Sequence, residues 1–205
     1  MRLLLLGALA ALALGVSACG SGDAPASGPV PMTGIDHAPY AVADLSLTDT
    51  DGQPFELAKD ATKPLTLVFF GYTHCPDLCP LVMQSLSAAM QTLDEQDRKD
   101  VDVVFVTTDP GRDTEDVLRK YLDHYDPSFI GLTGQLDTIV SLGESMKIFV
   151  GSGQRLPSGG YDLSTHDTHV SAVVPGGNAT VLWNMDTSPR QFADDIHTLL
   201  QKGRS

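Results

Sequence analysis

A nearly uninterrupted apolar run, Leu65–Phe70, leads directly into a turn that carries two cysteines. Such a run, with only Thr66 polar, is typical of a strand that helices cover on both faces. The turn places Cys75 and Cys79 just before a helical pattern, and the free N–H groups and partial positive charge of a helix start favour thiolate over thiol. Thiolates are the reactive and metal-binding form of cysteine, so this junction indicates either a redox site or a soft-metal site.

Strand and helix patterns alternate along the rest of the chain. A hairpin is predicted around the Asp51-Gly52 turn, a second buried strand over 101–107, a strand beginning at 147–150, and a later hairpin over 169–183. Helices are predicted over 80–93, from 114 to before Asp126, over 135–146 and over 188–201. This order predicts an α/β fold of the thioredoxin-like type, with a mixed central sheet, helices on both faces and an N-terminal β-hairpin.

The N-terminus is interpreted as an export signal. Met1-Arg2 is basic, Leu3–Val16 is apolar but too short to span a bilayer comfortably, and Val16–Cys19 resembles a bacterial lipobox, in which cleavage precedes an acylated cysteine. The alternative is an ordinary secretory signal with a coincidental cysteine. The resulting domain prediction is a lipoprotein signal peptide over 1–18, a flexible Gly/Ser/Ala/Pro-rich tether over 19–38 and a folded domain over 39–205.

Export and lipidation at Cys19 together predict a protein anchored to the cell membrane, with its domain on the periplasmic or extracytoplasmic side. The formal net charge of −13 argues against nucleic acid as a partner and against docking on an anionic membrane surface, so membrane contact is expected through the lipid anchor only. Of the three cysteines in the chain, Cys75 and Cys79 then remain as thiols in a compartment where disulfides persist.

Three separated segments resemble one known family. They are 71–80 (GYTHCPDLCP), 106–114 (VTTDPGRDT) and 129–134 (FIGLTG), and they are similar in order and pattern to the Sco/SenC family, the copper chaperones of cytochrome c oxidase assembly. Within the second segment, Asp109 and Asp113 are interpreted as residues that end a strand and begin a helix. The resemblance covers most of the chain from Tyr40 onward and implies a thioredoxin-like domain that handles copper.

The resemblance also implies a third metal ligand, a histidine that precedes the late strand. Counting back without gaps from the family's Pro-x-Gly turn, here at Pro175, places His166 on the ligand position, and His169 is the alternative. Thr165 stands where the family usually has aspartate, and Asp167 stands where it usually has serine or threonine. We therefore expect Cys75, Cys79 and His166 to be the metal ligands.

This donor set suits copper. Two thiolates are sufficient for Cu(I), and an added imidazole provides a site that also holds Cu(II). A structural zinc site would normally require a fourth protein ligand, and none is evident from the sequence. The spacing of Cys75 and Cys79 also permits a disulfide between them, either as part of a redox cycle or as a plain structural crosslink.

Two functions follow from the resemblance. The first is a metallochaperone that delivers copper to the CuA centre of cytochrome c oxidase, with the copper-bearing subunit as its partner and other copper chaperones or thiol–disulfide reductases as further partners. The second is a thiol–disulfide oxidoreductase that keeps exported target cysteines reduced, so enzymatic activity is left open. The spacing of Cys75 and Cys79 argues against a general oxidoreductase, because classical thioredoxins have one residue fewer between the cysteines.

Overall fold

An eight-stranded mixed sheet forms the centre of the fold, in the order β1-β10-β9-β4-β5-β6-β2-β3. The computed structural model describes residues 31–151, 154–155, 161–162 and 166–204. Its elements are β1 (Ile35–Ala41), β2 (Ser46–Asp49), β3 (Pro54–Glu56), α1 (Leu57–Asp60), β4 (Leu65–Gly71), α2 (Leu78–Thr92), α3 (Glu95–Lys99), β5 (Val101–Thr107), α4 (Glu115–Leu122), β6 (Ile130–Thr133), α5 (Leu136–Ser145), β7 (Gln154–Arg155), β8 (Tyr161–Asp162), β9 (Val170–Val174), β10 (Asn178–Trp183) and α6 (Pro189–Arg204). Strands β4, β5 and β6 are parallel, whereas β9 runs antiparallel to β4, and β7 and β8 form a separate two-stranded sheet.

Two apolar cores lie on opposite faces of this sheet, because successive side chains of a strand point to opposite sides. In β4, Leu67 and Phe69 join the core that contains buried side chains of α2, α4 and α6. Val68 and Phe70 join the other core, together with buried residues of α1 and α5. All of β4 is buried, as its continuous apolar sequence predicts. The predicted mixed sheet with helices on both faces is therefore confirmed.

The two edges of the sheet are formed by N-terminal strands. The predicted hairpin is present as β2 and β3, with Gly52 in its turn at a φ of 75°, and β2 extends the sheet beside β6. Strand β1 forms the other edge by pairing with β10, and it includes residues 35–38, which the sequence analysis assigned to the tether. Most side chains of β1 are exposed, so its sequence has no apolar period, and its backbone pairing with β10 places it in the sheet.

The helix after the cysteine turn begins earlier than expected. Helix α2 starts at Leu78 rather than near Pro80, so Cys79 lies in its first turn. Proline is accommodated at the third helical position because the first four N–H groups of a helix have no partner within it. Ser188 caps α6, since its N–H donates to Gln191 Oε1 and the Gln191 N–H donates to Ser188 Oγ.

The strand expected to begin at 147–150 is reduced to a single bridge between Val150 and His166. Lys147 has a φ of 60° there, a left-handed conformation that interrupts extended backbone. Across the residues that the structure describes, no helix is both long and apolar enough to cross a membrane.

Candidate metal centre

The two cysteines lie where β4 ends and α2 begins. The backbone N–H of Cys79 donates a hydrogen bond to Cys75 Sγ at 3.3 Å. This N–H is one of the unpartnered donors at the start of α2, and Asp77, the residue that precedes the helix, makes no capping hydrogen bond with its side chain. The Cys75 sulfur thus accepts a helix-start N–H that a capping carboxylate would otherwise accept. This hydrogen bond and the partial positive charge of the helix start both stabilise a negative charge on the Cys75 sulfur.

The environment of Cys75 favours its thiolate form. Partial burial disfavours the charged form, but hydrogen bonds from the backbone and thiol of Cys79 and from the backbone of Asp77 and Leu78 outweigh it. The pKa of Cys75 is therefore lowered from its ordinary value. Because the side chain is only partly buried, this thiolate is also accessible.

Cys79 has the opposite character. Its side chain is 0 % exposed, and this burial, together with the nearby Cys75 sulfur and the Asp113 carboxylate, raises the pKa of its thiol. The backbone of β4 passes very close to it, since a Cβ added to Gly71 would lie 2.9 Å from Cys79 Sγ. Glycine at position 71 is therefore required for this sulfur to sit at the end of the strand.

His166 contacts the loop between β4 and α2, residues 72–77, which carries Cys75 and is called the cysteine loop here. Its ring meets the ring of Tyr72 edge-on, with centroids 5.6 Å apart and planes at 89°, and the Tyr72 carbonyl accepts the Cys75 N–H at 3.2 Å. His166 Nδ1 lies 2.9 Å from the Asp167 carbonyl oxygen. A carbonyl can only accept, so Nδ1 carries the proton and Nε2 has the lone pair that a metal would use.

Tyr72 contacts both parts of the candidate site, because its ring meets the His166 ring and its carbonyl accepts the Cys75 N–H. Burial, followed by the nearby Cys75 sulfur, raises its pKa to about 12. The phenol is therefore neutral at physiological pH and keeps its hydrogen-bond donor. The sequence analysis did not single out Tyr72, although it belongs to the 71–80 segment.

The alternative histidine has a different environment. His169 immediately precedes β9, and its Nδ1 lies 3.2 Å from Asp167 Oδ1. It is the ring of His166 that meets Tyr72 in the cysteine loop. This arrangement favours His166 over His169 as the third ligand, and the assignment remains a prediction.

Asp113 is the residue near the site that sequence reasoning interpreted too simply. Its side chain is buried, with 0 % exposure, and it binds Thr73 in the cysteine loop as well as Thr107 at the end of β5. The signal for this role was its position after a core strand, since the carboxyl ends of parallel strands meet at one edge of the sheet.

Two thiols and one imidazole nitrogen are a donor set that suits a soft metal ion. Their three ligand atoms are not gathered within 4.8 Å of one another in the described part of the chain, where the residues that meet this criterion are Asp94, Asp97 and His197. The loop over residues 72–77 or the His166 segment would therefore have to close on a bound ion. Both cysteines are free thiols in this structure, so the Cys75–Cys79 disulfide stays a prediction for an oxidised form. Cys19, the predicted lipidation site, lies outside the described residues, as do 152–153, 156–160 and 163–165.

Comparisons with known proteins agree with this geometry. Residues 35–201 match the family model described as SCO1/SenC. The chain is 30% identical over 151 residues to an SCO2-like protein of Rickettsia felis, covering 74% of this chain and 73% of that protein. It is 36% identical over 105 residues to the mitochondrial protein SCO2 of Saccharomyces cerevisiae, covering 51% of this chain but only 35% of the yeast protein.

Solved structures show the same fold. ScoI of Bradyrhizobium japonicum, with copper bound, is 28% identical, covers 80% of this chain and 99% of that chain, and has a TM-score of 0.64. BsSco, a member of the Sco family of cytochrome c oxidase assembly proteins in which a disulfide switch was identified, is 22% identical, with coverage of 83% and 98% and a TM-score of 0.66. The second likeness concerns the fold alone.

These likenesses confirm the predicted thioredoxin-like α/β fold. The family match extends from β1 to within α6 and includes both cysteines, His166 and Asp113. The chain therefore belongs to the SCO1/SenC family.

Proposed function

We propose that this protein is a metallochaperone that binds copper through Cys75, Cys79 and His166 and delivers it to the CuA centre of cytochrome c oxidase during assembly. The observation that carries the proposal is the pairing of a partly accessible thiol with a buried one at the start of α2, with the His166 ring held against the same loop by Tyr72. Family membership supports it, since a copper-bound relative has the same fold.

The donor set suits a cargo that must be held and then released. Two sulfurs satisfy Cu(I), while the His166 nitrogen adds the donor that Cu(II) prefers. Cys75 accepts a hydrogen bond from a helix N–H, which stabilises its thiolate without a metal. The metal-free site therefore already favours one of the two thiolates that copper binding requires, whereas the buried Cys79 thiol must lose its proton when the metal binds.

Transfer to another protein requires contact at the site, and exposed apolar side chains lie beside it. Leu81, in the first turn of α2, is 63% exposed, and Phe149, whose carbonyl accepts the Asp167 N–H at 2.8 Å, is 60% exposed. We propose that these two side chains contact the copper-bearing oxidase subunit, because apolar residues next to a ligand site add contact area for a protein partner.

The asymmetry of the thiols also favours a second candidate function, thiol–disulfide reduction. Cys75, with its lowered pKa, would attack one sulfur of a target disulfide and release the other as a thiolate. Cys79 would then attack Cys75, releasing the fully reduced target and leaving a Cys75–Cys79 disulfide that an external dithiol must reduce before the next turnover.

Anaerobic titration of the reduced protein with copper, read by absorbance, distinguishes the two. We expect one copper ion per chain and a sulfur-to-Cu(II) charge-transfer band. Either Cys75→Ser or Cys79→Ser should abolish tight binding with the fold intact, because each removes a metal-binding thiolate. A single variant that keeps copper at wild-type affinity would contradict the chaperone assignment, and catalytic disulfide reduction without stable copper binding would favour the reductase.

A further inference from the structure

We propose that Asp113 is a positioning residue of the copper centre, whose buried carboxylate holds Thr73, and with it the loop bearing Cys75, against the ends of β5 and β6. The inference rests on the proposed function in taking Cys75 and Cys79 as copper ligands. It assigns to Asp113 a role in the geometry of the site rather than in helix initiation alone.

The carboxylate has three donors from two separate segments. Asp113 Oδ1 accepts from Thr73 Oγ1 at 2.6 Å, and Asp113 Oδ2 accepts from the Thr73 backbone N–H at 2.9 Å. Asp113 Oδ2 also accepts from Thr107 Oγ1 at 2.7 Å. The cysteine loop and the end of β5 are thus joined through one side chain.

The backbone of Asp113 is held as well. Its N–H donates to the Asp109 carbonyl at 3.0 Å, and its own carbonyl accepts from Thr133 Oγ1, at the end of β6, at 3.1 Å. Asp113 also precedes the N-cap Thr114, so the start of α4 adds a favourable partial positive charge. These backbone bonds hold Asp113 in position independently of its side-chain bonds to Thr73.

A buried carboxylate is costly to desolvate and is retained where its hydrogen bonds compensate. Here the compensation comes largely from Thr73. In the chain, Thr73 lies between Gly71, where an added Cβ would meet the Cys79 sulfur at 2.9 Å, and Cys75. Without Asp113, both Thr73 donors lose their partner and are freed to turn toward solvent. The loop would then sample positions in which Cys75 is no longer aligned with the Cys79 N–H.

The test compares Asp113 variants with the wild type by two measurements. These are the Cu(I) affinity, from competition with a chromophoric chelator, and the position of the thiolate-to-Cu(II) band. Asp113→Ala removes both side-chain acceptor oxygens. It should therefore weaken Cu(I) binding by about tenfold or more and shift the band. Asp113→Asn should restore affinity to within about threefold, because its carbonyl can accept from Thr73 N–H while its amide donates to Thr73 Oγ1.

Asp195 provides a matched control. Asp195 lies in α6, and its buried carboxylate also has three donors, namely the N–H groups of Thr33 and Gly34 and Trp183 Nε1. Asp195→Ala should lower the melting temperature to an extent comparable with Asp113→Ala and leave copper affinity and the band unchanged. Equal copper losses in both variants would reduce Asp113 to a general stabilising role and overturn the proposal.

If Asp113→Ala does not fold, Thr73→Val decides the matter. It deletes the Oγ1 bond and keeps the backbone one, so it should weaken Cu(I) binding by about two- to tenfold. Wild-type affinity in Thr73→Val, or in a folded Asp113→Ala, overturns the inference. Its failure is distinguishable from failure of the proposed function, because in the latter Cys75→Ser itself would bind copper like the wild type.

Discussion

At the residue scale, Cys75 and Cys79 belong to one motif but have opposite chemical environments. One is partly accessible and accepts hydrogen bonds that lower its pKa, whereas the other is buried and has a raised pKa. The difference arises because the start of α2 directs its free N–H groups toward Cys75 while β4 and the surrounding core cover Cys79. We therefore expect Cys75 to be the more reactive of the two thiols.

We predict that Cys75 reacts first with an alkylating reagent. At neutral pH, iodoacetamide should modify Cys75 at least about tenfold faster than Cys79, because only a thiolate attacks and the lower pKa gives Cys75 the larger thiolate fraction. Peptide mass spectrometry of quenched time points measures both rates. The Cys79→Ser variant should react at a rate similar to the wild type, and faster labelling of Cys79 would refute the assigned environments.

The histidines give a second prediction. His166→Ala should eliminate the sulfur-to-Cu(II) band at stoichiometric copper while Cu(I) binding persists, because two thiolates satisfy the monovalent ion but Cu(II) prefers a further nitrogen. His169→Ala should change Cu(II) affinity by less than about tenfold, since its effect is limited to orienting its neighbours. Spectra of the two variants loaded with Cu(II) decide between them, and the reverse pattern would make His169 the ligand.

At the element scale, the close approach of β4 and α2 is what places the sulfurs. A Cβ at position 71 would lie 2.9 Å from Cys79 Sγ and 3.0 Å from the Phe69 ring. We predict that Gly71→Ala destabilises the protein by about 1–3 kcal/mol, the usual effect of overpacking, and weakens copper binding because Cys79 must move. Denaturant unfolding and chelator competition measure the two effects.

Gly111→Ala is the matched control for this substitution. A Cβ there has Asp109 Oδ1 as its nearest neighbour, at 3.9 Å, so neither stability nor copper affinity should change appreciably. If Gly71→Ala behaved like Gly111→Ala, the strand end would tolerate a larger gap between β4 and α2 than the structure shows.

The elements themselves were predictable where their apolar patterns are strong. Strands β4 and β5 and helix α5 appear close to their predicted bounds because each buries a regular set of side chains. Strand β1 was missed because its stability comes from backbone pairing with β10, which leaves no periodicity in its side chains.

At the scale of the whole molecule, the predicted tether and lipid anchor would separate membrane attachment from copper chemistry. We predict that Cys19→Ala releases the protein from the membrane fraction without changing its copper affinity. The reason is that a polar, flexible spacer does not couple the structure of the domain to the lipid anchor. Fractionation of cells that express the variant, followed by copper titration, measures both. Continued membrane association of correctly cleaved protein would indicate a different anchor.

The sequence by itself determined the class of fold and indicated the kind of chemistry that the two cysteines could carry out. Buried strands alternating with amphipathic helices predict a mixed sheet with two cores, which the structure has, and two cysteines at a strand-to-helix turn indicate a redox or soft-metal site. These properties are local, since each depends on residues within a single strand, turn or helix.

Only the tertiary structure decided how distant residues complete that site. Thr73 and Asp113 are 40 positions apart, and the contact between Tyr72 and His166 likewise joins separate parts of the chain. Periodicity identifies the face that a residue occupies, but which residue lies opposite it depends on strand order and packing. The buried carboxylate that holds the loop and the tyrosine that meets the histidine therefore became visible only once the sheet had brought its strand ends together.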